Sequence, residues 1–160
     1  EQLFENRDLV VIDANLRVET ISAVIEIAKA YKIKVWFEPT DLAKATKIVV
    51  NQNLEKIDGL SPNFNEMIEL SKTFGMKPMS LDEFEKLLHS DFLPETGIFK
   101  TAEMILRKMK ADDATIFVTM GPVGTLALKK TDGKIVTRIV VPPVIGIHEK
   151  MVSASGAGDA

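Results

Sequence analysis

Four short segments hold residue types that can act together on a charged small molecule. In Gly156-Ala157-Gly158-Asp159, two glycines bracket an alanine, so consecutive N–H groups can point at one oxyanion while the neighbouring carboxylate accepts a proton. That pairing suits phosphoryl transfer, in which positioning and charge stabilisation supply most of the catalysis. A glycine-rich turn with Asp159 as a helix cap is the alternative. In Ser61 to Met67 (SPNFNEM), Asn63 and Glu66 stand three apart in the first turn of an expected helix and so share a face. An amide and a carboxylate placed there suit a hydrated Mg²⁺, which keeps several waters, so that Glu66 would act through water. The alternative is that Asn63 supports the helix cap and Glu66 offsets the dipole. Thr119 to Gly124 (TMGPVG) closes an expected strand, where an open α/β sheet binds its ligand. Gly121 and Gly124 would let backbone approach phosphate oxygens and Thr119 would add a hydroxyl, although the spacing is neither GxGxxG nor a P-loop and an ordinary β-turn would also account for it. Asp13 and Asn15 lie between a strand and a helix, where Asn15 as a cap and both residues as a ligand pocket are the competing readings.

These segments need a scaffold, and the hydrophobic pattern outlines one. Leu9 to Ile12 is a continuous β-branched-rich run, which predicts a central strand covered on both faces. Val18, Ile21, Ile25, Ala28 and Tyr31 recur at helical spacing, and Lys34 to Phe37 forms the next strand, giving a right-handed βαβ unit. Trp36, in the middle of that strand, is expected in the core. A third apolar run follows at Ile48 to Val50. Ser61-Pro62 predicts an N-cap with proline at the first helical position, before the stripe Met67, Leu70, Phe74 and a stop at Gly75. Ser80 and Glu83 read as a capping box for a helix carrying Phe84, Leu87 and Leu88. Phe99, Ala102, Ile105, Leu106 and Met109 mark another helix. Thr115 to Thr119, Thr125 to Lys130 and Lys134 to Val141 read as strands, the last two joined by an Asp132-Gly133 hairpin turn.

Composition narrows the function. The 160 residues, 46% of them hydrophobic, suffice for one globular unit. A formal charge of -3 with no basic run argues against nucleic acid as a partner, and the absence of cysteine removes disulfides, thiolate nucleophiles and zinc-thiolate sites. His89 and His148 stand apart and read as surface or helix-end residues rather than ligands. No apolar run reaches the ~20 residues of a membrane span, so a membrane partner is not expected and a cytoplasmic, soluble protein is. The start lacks an initiator Met, and the GAGD loop is followed by no helix that could complete an anion site. The chain is therefore expected to be a piece of something longer.

Taken in order, the segments resemble the signatures of the ribokinase-like, or PfkB, carbohydrate kinase family. SPNFNEM is similar to (T/S)PNxxE, FVTMGPVGTLAL to VTxGxxG, and VSASGAGDA to DTTGAGDA. Val11 to Leu16 (VIDANL) and Phe37 to Ala45 (FEPTDLAKA) further resemble the pseudouridine kinase branch. The resemblance spans essentially all 160 residues but only the second third to half of a typical family domain. It implies a three-layer α-β-α fold with a mainly parallel central sheet, residues 1–160 forming a single partial domain that ends at the GAGD loop. It further implies an ATP- and Mg²⁺-dependent kinase acting on a small-molecule sugar or nucleoside, pseudouridine above all, with the oligomeric state open. In that scheme Asp159 is the general base and Gly156, Ala157 and Gly158 are the anion hole. Asn63 and Glu66 organise Mg²⁺ and phosphate, Thr119 to Gly124 contact the nucleotide, and Asp13 and Asn15 line the substrate pocket. Ser153, Ala154 and Ser155 stand where the family usually has Asp, Thr and Thr, which weakens the case for a bound potassium ion. The isolated 160 residues are expected to be inactive; were they the whole chain, a non-catalytic nucleotide-binding or interaction module would be the rival.

Overall fold

The structure, a computed structural model, describes residues 4–77, 97–121 and 124–141. The chain runs β1 (Leu9–Asp13), α1 (Val18–Ala30), β2 (Lys34–Glu38), a 3-10 segment (Ala45–Gln52), α2 (Asn53–Lys56), β3 (Gly59–Leu60), α3 (Phe64–Lys72), α4 (Gly97–Lys108), β4 (Ala114–Thr119), β5 (Thr125–Thr131) and β6 (Lys134–Val141). The six strands form one sheet in sequential order. β1 to β4 pair in parallel, and β5 and β6 continue the sheet as antiparallel neighbours. The β5–β6 hairpin turns at Asp132 and Gly133, both at positive φ, as the Asp-Gly pair predicts.

Burial follows the pleat. Ile12, Phe37, Leu60, Ile116 and Leu128 align as one lateral row across five strands, all essentially inaccessible. The helices cover this face: α1 packs on β2, and α4 on β4 and β5, with α3 wedged between α4 and the 3-10 segment. Of the predicted stripes, Ile21, Ile25 and Ala28 of α1, Met67 and Leu70 of α3, and Phe99, Ala102, Ile105 and Leu106 of α4 are buried, whereas Val18 is half-buried, Phe74 lies half-buried past α3 and Tyr31 lies exposed past α1. Lys130 also points to this side, where its ammonium donates to the carbonyl of Met109 just past the end of α4. Burial pushes its pKa below the ordinary lysine value.

The adjacent row, Val11, Trp36, Gly59, Thr115 and Lys129, faces the other way. Val11 is 63% and Leu9 48% exposed, which corrects the expectation that β1 is covered on both faces. Among the described residues β1 also lies at one edge of the sheet rather than in its centre. Among the described residues the helices lie on one face only. Trp36 is only half-buried, stacked on Phe117 with ring centroids 5.5 Å apart, rather than in the core. Its indole lies flat over Gly59, where a Cβ would come within 2.0 Å of the ring, so only glycine fits there.

Two local expectations shift. The run Ile48 to Val50 belongs to the 3-10 segment, which inserts the buried Ile48 into the core and then breaks at Asn51 and Gln52, both at positive φ. The third strand is instead the two-residue Gly59–Leu60. The N-cap of α3 is Asn63, not Ser61, because the Ser61 hydroxyl is already engaged, donating to Glu38 and accepting from Trp36 Nε1 at 2.8 Å. The helix expected after Ser80 and the residues His89, His148, Ser153 and Gly156 to Asp159 lie outside the described residues.

Candidate active-site edge

Parallel pairing carries the ends of β1, β2, β3 and β4 to one edge of the sheet: Asp13, Glu38, Leu60 with the following Ser61, and Thr119. Strand carboxyl ends are where open α/β sheets bind ligands, because the loops there are free to diverge while the strands fix their roots. Two of the predicted segments meet directly. Asn63 and Thr119 form a parallel β-bridge, with Thr119 N–H donating to Pro62 O at 3.1 Å. The helix-start motif and the strand-end motif, more than fifty residues apart in the chain, are thus continuous in space.

Asn63 and Glu66 close a capping box. Glu66 N–H donates to Asn63 Oδ1 at 2.9 Å, and Asn63 N–H donates to Glu66 Oε2 at 2.8 Å. The capping alternative is therefore realised for both residues, and the exposed Asn63 amide nitrogen takes no part in it. Glu66 is 2% exposed. Burial pushes its pKa above the ordinary glutamate value; the Asn63 N–H opposes this, and the nearby Glu38 and Asp41 carboxylates add to it. An excess of negative charge at this spot would be relieved by a cation. Among the described residues no group of three or more His, Cys, Asp or Glu side chains is arranged to hold a metal ion. With Glu66 Oε2 engaged by the Asn63 N–H, the carboxylate could reach a hydrated ion such as Mg²⁺ only through water.

Beyond Thr119 the chain turns tightly. Met120 N–H donates to Gly124 O at 2.8 Å and Gly124 N–H to Gly121 O at 3.0 Å, with both glycines at positive φ. The β-turn alternative accounts for these contacts, and it engages the Gly124 N–H internally.

At the other end of the edge, Asp13 and Asn15 are exposed. Asn15 N–H donates to Asp13 Oδ1 at 2.9 Å and its side-chain amide to Asp13 Oδ2 at 3.3 Å. Asn15 is not the cap of α1, whose N-cap is Arg17 without a side-chain bond. Lys44 Nζ donates to Asn15 Oδ1 at 2.9 Å and pairs with Asp41. The side-chain hydrogen bond from Lys44 holds the Asp41 carboxyl below its usual value. Glu38 and Ser61 sit between the two ends, joined by their hydrogen bond.

Glu38, Thr40 and Lys44 enter the sequence reading only within the FEPTDLAKA resemblance and Ser61 only as a helix cap, while Lys47 is marked by neither type nor spacing. Lysines and threonines in a connection look like ordinary solvated residues. Their place just after a strand in an α/β pattern is the further signal, the same rule that marks Thr119.

Comparison with known proteins bears on the fold and the family. Among solved structures, the fold is similar to Arabidopsis thaliana ribokinase complexed with ribose and ATP, at a TM-score of 0.65 and 17% identity over 99% of this chain and 40% of that one. It is similar also to Schistosoma mansoni adenosine kinase in complex with adenosine and AMP, at a TM-score of 0.66 and 17% identity over 99% of this chain and 43% of that one. Giardia lamblia ribokinase gives a TM-score of 0.63 at 19% identity, with 99% and 42% covered. The chain thus spans about two-fifths of the length of these proteins, and at such identities the likeness establishes the fold: a ribokinase-like α/β architecture with a mostly parallel sheet. No curated protein sequence matches the chain. The family model described as pfkB family carbohydrate kinase matches residues 1–160, the whole of the sequence in which the three ordered motifs were found, and the chain belongs to that family.

Proposed function

We propose that the full-length protein transfers the γ-phosphoryl group of ATP to a ribosyl hydroxyl of a sugar or nucleoside, with pseudouridine as the preferred acceptor. The observation that carries this reading is the gathering of Asp13, Glu38, Asn63 and Thr119 at one sheet edge, in a chain that ends its family match with GAGD. The solved relatives include kinases complexed with ribose and ATP or with adenosine, which supports a ribosyl acceptor. VIDANL and FEPTDLAKA, on β1 and β2 and the loops after them, favour pseudouridine among such acceptors.

In this reading Asp13 and Asn15 bind the acceptor, and Thr119, Gly121 and the exposed amide of Asn63 bind the nucleotide. Because Gly124 spends its N–H in the turn, it contributes conformation rather than a donor. Glu66, fixed by the capping box, would hold a hydrated Mg²⁺ through water, and that ion, when bound, would neutralise phosphate charge. Asp159 takes the proton from the acceptor hydroxyl as its oxygen attacks the γ-phosphorus, the bond to the β–γ bridging oxygen breaks, and ADP leaves. The N–H groups of Gly156 to Gly158 stabilise the charge on the transferring group.

The test is a transfer assay on the full-length protein with ATP, Mg²⁺ and, separately, pseudouridine, ribose and adenosine, reading phosphorylated product by mass. The expected result is acceptor-dependent ADP release with pseudouridine favoured in kcat/KM by at least about tenfold. Preference for ribose or adenosine would leave a kinase of another specificity. ATP binding with no transfer to any acceptor would replace the enzyme by a binding module.

A further inference from the structure

We infer that Lys47, together with Thr40, is a positioning residue that fixes where Asp13 and Asn15 stand, an inference that rests on the acceptor-side reading of those two residues. Lys47 Nζ donates to Ala14 O at 2.8 Å and to Leu16 O at 2.9 Å, catching the two carbonyls that flank Asn15. From the other side, Ala14 N–H donates to Glu38 O at 2.9 Å and to Thr40 Oγ1 at 3.2 Å. The connection after β2 therefore grips the stretch from Ala14 to Leu16 through both backbone polarities.

Neither residue suits its own surroundings. Thr40 has a φ of 69°, a region that a β-branched side chain seldom occupies and that glycine would adopt without strain. Lys47 brings a positive charge beside the start of α1, the positive end of that helix, where no side chain caps the backbone; the one acid of the first turn, Glu19, pairs with the N-cap residue Arg17 at 3.4 Å rather than with Lys47. Two local rules are broken within one cluster, and what both violations share is the grip on the loop that carries Asn15. Strain and misplaced charge that converge on one loop at a ligand-binding edge point to preorganisation. Lys44, bonded to the Asn15 side chain, completes the fixation.

The test uses the full-length protein with Lys47→Met, which keeps the aliphatic stem and removes the ammonium, and with Lys47→Arg as the conservative variant. Amide hydrogen exchange should speed up about tenfold at Ala14 and Asn15 in Lys47→Met, while the central amides of α1 and β2 keep their protection. The KM for the acceptor should rise about tenfold to a hundredfold with the KM for ATP changed less than about twofold, and Lys47→Arg should recover most of the loss. Thr40→Gly, which relieves the backbone and removes the hydroxyl, should raise the acceptor KM without lowering the melting temperature, and Thr40→Ser should not raise it. Unchanged exchange at Ala14 and Asn15 would disprove the grip. Faster exchange with an unchanged acceptor KM, or an equal rise in both KM values, would disprove the positioning role. A full-length protein that phosphorylates no sugar or nucleoside would overturn the kinase reading and the acceptor role with it, while the exchange result would still decide whether the grip exists.

Discussion

At the β3–β4 end of the sheet edge, Glu66 is buried and locked by a partner three residues away, whereas at the β1–β2 end Asp13 and Asn15 are exposed, Asp13 bonded to Asn15, and the stretch from Ala14 to Leu16 is held by lysines some thirty residues distant in the chain. The first end borrows its geometry from a helix start that the fold needs anyway, so stability and site depend on the same bonds. The second end is held by long-range bonds between exposed or half-buried groups, which contribute little to folding because solvent competes for them. On the proposed reading, function and stability are therefore coupled at one end and separable at the other.

The largest expected effect is at Asp159, the general base of the proposed reaction. Asp159→Asn in the full-length protein should lower turnover by about 10² to 10⁴ while ATP binding changes little, since an amide keeps the shape but cannot accept the proton. Steady-state kinetics with a parallel binding measurement checks this, and near-normal turnover at saturating substrates would remove Asp159 from the role of base. Between the two ends, Gly59→Ala should destabilise by about 1–3 kcal/mol, because the new methyl meets the Trp36 ring that anchors Ser61 and, through it, Glu38. Its denaturation midpoint gives the answer. The comparison itself is exposed by two truncations: Asn63→Ala should cost about 0.5–2 kcal/mol through the lost cap, and Asn15→Ala should stay within about 0.5 kcal/mol of the parent. Equal losses in urea unfolding would erase the distinction between the ends.

The smallest effect is a slope. Burial raises the pKa of Glu66 in the folded state, so between the ordinary glutamate value and that raised value the folded protein binds more protons than the unfolded chain. The contribution of Glu66 to stability is thus complete at lower pH and declines as pH climbs through the folded-state value. Glu66→Gln keeps a capping-box side chain and removes the titration. Its stability relative to the parent should improve as pH rises across that window, as unfolding curves at several pH values would register; a constant difference would mean that Glu66 is not perturbed.

Much of the scaffold was legible because local and global preferences agree. The β-branched runs of β1 and β2, the three-and-four spacing of Ile21, Ile25 and Ala28, and the Asp132-Gly133 turn each have one low-energy outcome. The misreadings have a common cause in tertiary contacts. β3 is two residues long, too short for any periodic signal, and exists because its neighbours supply both ladders. Ile48 looked like part of a strand because buried apolar residues do not announce whether they sit in a strand or a 3-10 turn. Ser61 has the side chain of a cap, but Trp36 and Glu38 claim it first. At the site, Asn63, Glu66 and Thr119 stood out by type and spacing, while their meeting depended on the parallel β3–β4 register. Lys47 was invisible because its partners are backbone carbonyls, which every residue has.

The division of labour between the two ends can be measured with one pair of variants of the full-length protein, Asn15→Ala and Glu66→Gln, each assayed by initial rates over a matrix of acceptor and Mg-ATP concentrations. The account predicts that Asn15→Ala raises the acceptor KM by about tenfold and leaves the KM for Mg-ATP within about twofold. Glu66→Gln should do the reverse, raising the Mg²⁺ and ATP needed while sparing the acceptor KM. If both variants move the same constant, the two ends do not serve different substrates and the assignment of the edge is wrong.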